Sequence, residues 1–102
     1  MTRKNKELTD LVAPQTWVEL EGEGRVFFMG RHKSKKDRRK YLIFVGVHSP
    51  LVMYAVPLGA LLENPIGSNK FIITRNYERG EYNPDKYNLP DENKIRELLG
   101  NR

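Results

Sequence analysis

The sequence predicts an α+β fold that is mainly β: a small five-stranded antiparallel barrel or bent sheet, SH3-like or OB-like in architecture, with a short C-terminal helix. Three observations support this fold class. Short apolar segments recur at fairly regular spacing, with alternating or continuous hydrophobicity. Residues typical of turns cluster between them. Helical periodicity with an apolar stripe is clearest near the end of the 102-residue chain.

The first two predicted strands form a hairpin. In residues 16–21 the side chains of Val18 and Leu20 fall on one face of the strand. The turn is predicted at Gly22-Glu23-Gly24, because glycine adopts positive φ without steric cost. Residues 25–30 then return as the second strand.

Three more strands follow. Residues 41–47 are the most apolar segment, and this continuous apolarity predicts a strand buried on both faces of the sheet. Residues 51–56 are expected to form the fourth strand. We expect residues 58–63 to form a short helical turn and residues 70–75 to form the fifth strand.

The C-terminal part is predicted to be a loop followed by a helix. Residues 76–90 are rich in Tyr, Asn, Gly and Pro, which favours an ordered loop. The helix is expected over residues 91–99, with Asp91 as its N-cap. Its apolar stripe should dock on the sheet and consists of Ile95, Leu98 and Leu99.

The N-terminal residues 1–6 are predicted to be a flexible basic tail, and residues 7–13 one or two helical turns that Pro14 ends. We expect residues 7–102 to form a single domain. The chain contains no cysteine, so disulfides, thiolate zinc sites and thiol nucleophiles are excluded. It has no apolar stretch typical of a signal peptide or a membrane span. We therefore expect a cytoplasmic (intracellular) protein without a membrane partner.

Residues 31–40 (RHKSKKDRRK) form a basic run that connects the second and third predicted strands. The run holds seven of the 18 Lys and Arg residues of the chain and one of its 13 acidic residues. Its net charge is +6, against +5 for the whole chain, so the remainder carries −1. A local excess of this size attracts polyanions such as nucleic acid.

The main functional hypothesis is therefore a non-enzymatic nucleic-acid-binding module, DNA-binding or RNA-binding, that uses a basic loop to neutralise backbone phosphates. The candidates within the run are Arg31, Lys33, Lys35, Lys36, Arg38, Arg39 and Lys40. Auxiliary contacts are expected from Arg25, Lys70, Arg75 and Trp17. The tyrosines at positions 77, 82 and 87 would add base stacking, unless they pack their loop onto the body of the protein.

Two other classes of function stay open. The basic run would equally steer a protein-interaction module, an inhibitor or adaptor, onto an acidic protein partner, with Trp17 or Tyr82 as the central anchor. A small toxin-type ribonuclease would need a general acid–base group, for which His48 paired with a residue of the basic run is the best candidate.

Neither a cofactor nor a metal site is expected. The two histidines have no second ligand at a recognised spacing. The acidic side chains of the first hairpin, at positions 19, 21 and 23, form either a solvated face or a surface for a basic partner, and they provide too few convergent oxygens for a metal ion. An edge strand left exposed by the fold would allow a homodimer to form.

Overall fold

A computed structural model describes residues 15–63 and 70–100. These residues form one seven-stranded sheet and two helices. The elements are β1 (Thr16–Leu20), β2 (Gly24–Lys33), β3 (Lys40–Gly46), β4 (Val52–Pro57), β5 (Leu61–Glu63), β6 (Lys70–Ile73), β7 (Glu78–Glu81), α1 (Pro84–Tyr87) and α2 (Glu92–Gly100). The strand order across the sheet is β5-β6-β1-β2-β3-β4-β7. All neighbouring strands are antiparallel except β1 and β6, which run parallel.

Two short connections join opposite ends of this strand order, and they require the sheet to bend strongly. Three residues, 58–60, link β4 to β5, and four residues, 74–77, link β6 to β7. An extended residue spans at most about 3.6 Å, so each connection holds two distant strands within about 20 Å of each other. The N–H of Thr74 donates to the carbonyl of Ala60 at 2.6 Å, which ties the two connections together.

The predicted antiparallel five-stranded barrel is therefore wrong in three respects. The sheet contains seven strands, the β1–β6 pair is parallel, and β5 and β7 remain unpaired with each other at its two ends. The coarser prediction of a mainly β fold with a short C-terminal helix is confirmed. Pairing between β1 and β6 joins segments about 50 residues apart, and local hydrophobic periodicity contains no information on the direction of such a pair.

The inner face of the bent sheet buries the first hydrophobic core. Alternate side chains of the strands meet there, as the period of two requires. The buried members are Val18, Leu20, Val26, Phe28, Leu42, Phe44, Tyr54, Val56, Ala60 and Phe71. Leu61 and Ile73 of β5 and β6 pack against their edge.

The outer face carries a second core that the two helices cover. Its buried members are Phe27, Met29, Ile43, Val45, Leu51, Met53, Ala55, Tyr87, Ile95 and Leu99. Because β3 contributes to both cores, the prediction of a third strand buried on both faces is confirmed. In α2, Ile95 and Leu99 are buried and Leu98 packs beside them, as predicted. Asp91 accepts a hydrogen bond from the Lys94 N–H at 2.8 Å, which is the expected N-cap.

Three segments differ from the sequence prediction. Residues 61–63 form the edge strand β5 instead of part of a helical turn, because pairing with β6 and the packing of Leu61 outweigh the helix propensity of leucine. The predicted loop over residues 76–90 contains β7 and α1. All four residues of β7 are exposed, so backbone pairing with β4 holds it without any hydrophobic alternation. The predicted tail (1–6) and helical turns (7–13) lie outside the described residues.

The turn between β1 and β2 is fixed to the connection between β6 and β7. Gly22 and Gly24 adopt φ values of +88° and +91°, as predicted for this turn. Between them, the Glu23 carboxylate accepts a hydrogen bond from the Tyr77 hydroxyl and lies 3.6 Å from Nε of Arg79. The hydrogen bond to Glu23 raises the pKa of Tyr77 to about 12. Glu23 therefore has a structural role: its carboxylate holds the β1–β2 turn against Tyr77 and Arg79.

Neither helix of the described residues has the length and apolar character needed to cross a membrane.

The substitution Leu99→Ala tests the docking of α2. Leu99 is 6% exposed in the outer-face core, and truncation there should lower the free energy of unfolding by about 2–4 kcal/mol. The matched control is Leu62→Ala, because Leu62 is 55% exposed and its truncation should cost less than about 1 kcal/mol. Urea denaturation of both variants measures the difference. Equal losses would contradict the burial of the α2 stripe.

Candidate functional site

The ends of the basic run belong to strands. Arg31–Lys33 are the last three residues of β2, and Lys40 is the first residue of β3, so only residues 34–39 connect them. The predicted basic loop over residues 31–40 is therefore wrong in its extent: the run is the end of a β-hairpin. The sequence did not reveal these strand ends, because their side chains are mostly cationic and carry no apolar alternation.

The connection 34–39 is held by its own backbone. The Ser34 N–H donates to the Arg39 carbonyl at 2.7 Å, and the Arg38 N–H donates to the Ser34 carbonyl at 2.8 Å. Arg38 adopts a left-handed conformation with φ of +64°. Ser34 is 2% exposed, and its hydroxyl accepts a hydrogen bond from the Lys36 N–H at 3.2 Å. The cationic side chains of this connection therefore project from a defined backbone.

Asp37, the one acidic residue of the run, shapes the connection. Its carboxylate accepts hydrogen bonds from the Tyr41 hydroxyl at 2.6 Å and from the Arg39 N–H at 3.0 Å. These hydrogen bonds lower the pKa of Asp37, and the bond from Tyr41 raises the pKa of that hydroxyl. The negative charge of Asp37 is thus engaged by the hairpin itself.

Helix α1 supports the hairpin. The Lys35 N–H donates to the Lys86 carbonyl at 3.0 Å. Tyr87 is 1% exposed, and its ring packs edge-on against Tyr41 with the ring centroids 5.8 Å apart. Burial raises the pKa of Tyr87. Nζ of Lys86 also lies 2.9 Å from Oε1 of Glu78, so α1 links the hairpin to β7.

An open groove of about 530 Å³ lies where the end of β2 meets the end of α1. It is lined by Arg31, His32, Lys33, Ser34, Lys35, Arg38, Tyr87 and Asn88. We call it the cationic groove, because four of these side chains are Lys or Arg and none of the described residues that line it is acidic. Nε2 of His32 lies 2.9 Å from the carbonyl oxygen of Met29, next to the irregularity that interrupts the β2–β3 register.

The other three cations of the run lie outside the groove lining: Lys36, Arg39 and Lys40. Lys40 is directly opposite Lys33 in the register of β2 and β3, so two lysines face each other across the hairpin. Like charges at opposed positions of an antiparallel pair destabilise it. The seven cations of the run therefore divide into four that line the groove and three outer cations, and each set contains both Lys and Arg.

The auxiliary cations are not part of this groove. Arg25 precedes Arg31 by six residues along β2, a distance of about 20 Å in an extended strand. Glu19 is in register with both Arg25 and Lys70, so an acidic residue separates these two cations. Arg75 is exposed in the connection that follows β6. The structure thus brings cations of the basic run together at the groove, whereas the three auxiliary cations lie outside the groove lining.

The aromatic candidates are used for packing. Trp17 is half-buried: its ring lies 5.0 Å from the Phe27 ring between centroids, and the Arg25 guanidinium lies 4.7 Å from its centroid. The hydroxyl of Tyr82 donates to the Pro90 carbonyl at 2.6 Å, and burial raises the pKa of Tyr82. Together with the contacts of Tyr77 and Tyr87, this shows that the late tyrosines pack the chain onto the sheet.

The ribonuclease hypothesis needs His48 beside the basic run, but the structure separates them. Lys40 begins β3 and His48 lies two residues beyond its last residue, Gly46, so the two are separated by a strand about 20 Å long. Over residues 15–63 and 70–100, the His, Asp and Glu side chains form no group of three that could hold a metal ion.

No family model matches the chain, and comparison with curated proteins and with solved structures finds no significant similarity to either.

Relief of charge repulsion in the hairpin can be measured with Lys40→Gln. Removing one of the two opposed lysines should raise the free energy of unfolding by about 0.5 kcal/mol at low salt, and the gain should shrink as added salt screens the pair. Lys36→Gln is the control, because it removes the same charge from the connection, where no strand residue opposes it. Urea denaturation at two salt concentrations gives both values. A Lys40 variant that is no more stable than the Lys36 variant would contradict the repulsion.

The role of Asp37 makes a prediction about pH. Because its pKa is lower in the folded state than the ordinary value of 3.8, its carboxylate stabilises the fold above that value, and this contribution disappears as the pH falls through the folded-state pKa. Tyr41→Phe removes the first donor to the carboxylate and should raise the pKa of Asp37 towards 3.8. An NMR titration of the Asp37 carboxyl carbon measures it. The control is Tyr82→Phe, which removes a hydroxyl that donates to the Pro90 carbonyl and should leave the pKa of Asp37 unchanged. A shift of the Asp37 pKa in the Tyr82 variant but not in the Tyr41 variant would refute the hydrogen bond between Tyr41 and Asp37.

Proposed function

We propose that the protein is a non-enzymatic nucleic-acid-binding module whose cationic groove holds the phosphate backbone. One observation carries this proposal: four Lys and Arg side chains surround a single open groove on an ordered hairpin, without an acidic side chain among its described lining residues. Lys and Arg supply the charge-assisted N–H donors that phosphate oxygens accept. Release of the counterions condensed on the nucleic acid then favours binding.

The arrangement of charge within the hairpin also supports binding. Lys33 and Lys40 are opposed across the strands, although such a pair lowers stability. Asp37, the nearest acidic side chain in sequence, is occupied by Tyr41 and by the Arg39 N–H. A bound anionic ligand would neutralise the positive charge of the hairpin and so relieve the repulsion among its cations.

The structure gives less support to the two alternatives. A protein-interaction module would need a central anchor such as an exposed aromatic. Trp17 and Tyr82, the anchors considered for it, are both half-buried and lie outside the groove lining. The ribonuclease hypothesis has less support, because its candidate His48 and the Lys40 end of the basic run are separated by β3, a strand about 20 Å long.

The proposal is tested with two triple variants of equal charge and composition. The groove variant combines Lys33→Gln, Lys35→Gln and Arg38→Gln. The outer variant combines Lys36→Gln, Arg39→Gln and Lys40→Gln. Each removes two lysines and one arginine from the same run, and each removes one member of the opposed Lys33–Lys40 pair.

Fluorescence-anisotropy titration of labelled nucleic acid across a salt series measures the effect. The groove variant should bind at least about tenfold more weakly and reduce the slope of log K against log salt by about 2–3, whereas the outer variant should change both much less. Unchanged binding by the groove variant would refute the proposal. Loss of binding by the native protein at physiological salt would also refute it and would favour an acidic protein partner.

A further inference from the structure

We infer that the ligand of the cationic groove is a double-stranded nucleic acid, DNA or RNA, that is contacted through its phosphates without base stacking. This inference rests on the proposed function and adds the type of nucleic acid. It follows from the aromatic side chains near the groove, from the way the hairpin is held, and from the chemistry of the groove lining.

The aromatic side chains near the groove are already occupied. Proteins that bind single strands combine a positive groove with aromatic side chains on which the unpaired bases stack. Tyr87 is the one Phe, Tyr or Trp residue among the described groove lining, and it is 1% exposed. The imidazole of His32 also lines the groove; it is half-buried, and its Nε2 lies 2.9 Å from the Met29 carbonyl oxygen. Tyr41 packs its ring against Tyr87 and donates its hydroxyl to Asp37. A single strand placed in this groove would therefore find cations but no exposed Phe, Tyr or Trp ring on which its bases could stack.

Trp17 does not supply the missing surface. Its ring contacts Phe27 and the Arg25 guanidinium, and its register partner Phe27 precedes Arg31 by four residues on β2. Four residues of extended strand span about 13 Å. A base stacked on Trp17 would lie well away from the groove, beside Glu19 on the same strand, where the carboxylate repels the phosphate backbone.

The hairpin presents its cations from a backbone that is fixed at several points. Ser34 pairs with Arg39, Asp37 binds the Arg39 N–H, and Lys35 binds the Lys86 carbonyl. A fixed set of charges matches a ligand whose phosphates also have a fixed spacing, because little conformational freedom is lost when the two combine. A duplex meets this condition. A single strand would lose its chain entropy on binding, with no exposed Phe, Tyr or Trp ring in the groove to compensate by stacking.

Besides the rings of His32 and Tyr87, the groove lining contains four cations and two short polar side chains, Ser34 and Asn88. The cations are suited to phosphate oxygens. Phosphate contacts carry no sequence information directly. The duplex should therefore be bound with little dependence on its base sequence, and duplex DNA and duplex RNA are distinguished only by how well their groove shapes fit the hairpin.

The test uses the full chain and five labelled ligands of equal length: duplex DNA, duplex RNA, a duplex DNA of scrambled sequence, and a single strand of each sugar chosen to lack self-pairing. Anisotropy titrations are made over a salt series with the native protein and with the groove and outer triple variants. We expect at least one duplex to bind about tenfold more tightly than either single strand. We also expect the scrambled duplex to bind about equally well, and the slope of log K against log salt to reach about −3 to −4 for four phosphate contacts. The ranking of duplex DNA and duplex RNA identifies the source of the ligand.

The outcomes separate this inference from the proposed function. Single strands that bind as tightly as the duplexes, with the affinity lost in the groove variant, would overturn the duplex inference and leave the proposed function standing. Duplex binding that the groove variant retains would overturn both. A large difference between the two duplex DNA sequences would overturn contact through phosphates alone, because base edges would then be read.

Discussion

The bend of the sheet depends on two connections that are too short for a flat arrangement. The segment 58–60 returns the chain from β4 to the far end of the sheet, and the segment 74–77 brings it back from β6 to β7. In a flat sheet each connection would join strands five positions apart, a distance of about 24 Å at about 4.8 Å per strand. Connections of three and four residues are too short to span it. Curvature brings the strand ends together and creates an enclosed inner face, where the first core is buried.

The same curvature leaves an apolar outer face that the strands cannot cover themselves. The need to cover this face with helices connects the fold to the candidate site. Ile43, Val45 and Met53 lie on that face and are buried by α1 and α2. Helix α1 is short, and its position follows from Tyr87, which it inserts into the outer core. Once α1 is there, its Lys86 carbonyl receives the Lys35 N–H, and its end forms one wall of the cationic groove. The groove is therefore a consequence of how the outer core is closed.

The sequence predicts well the parts of this arrangement that leave a local pattern. The continuous apolarity of β3, the positive φ of Gly22 and Gly24, and the capped helix α2 are all confirmed because each is decided by nearby residues. The parallel β1–β6 pair and the edge strand β7 are decided by backbone pairing between distant segments. Hydrophobic periodicity reports side-chain burial, so an edge strand composed only of exposed residues gives no signal.

The same distinction applies to the candidate site. The charge count of residues 31–40 identifies the cationic region, but it treats seven cations as equivalent. The structure separates them into four that line the groove and three that lie outside its lining. Arg38, which adopts the left-handed conformation, is among the four. The structure also shows that Asp37 and Tyr41 form a hydrogen-bonded pair within the hairpin, which the sequence does not reveal. A region that concentrates repelling cations needs such fixed points, since its backbone must stay ordered while its charges favour separation. In the function that we propose, these ordered and mutually repelling cations would give a bound polyanion a fixed geometry and charge neutralisation at the same place.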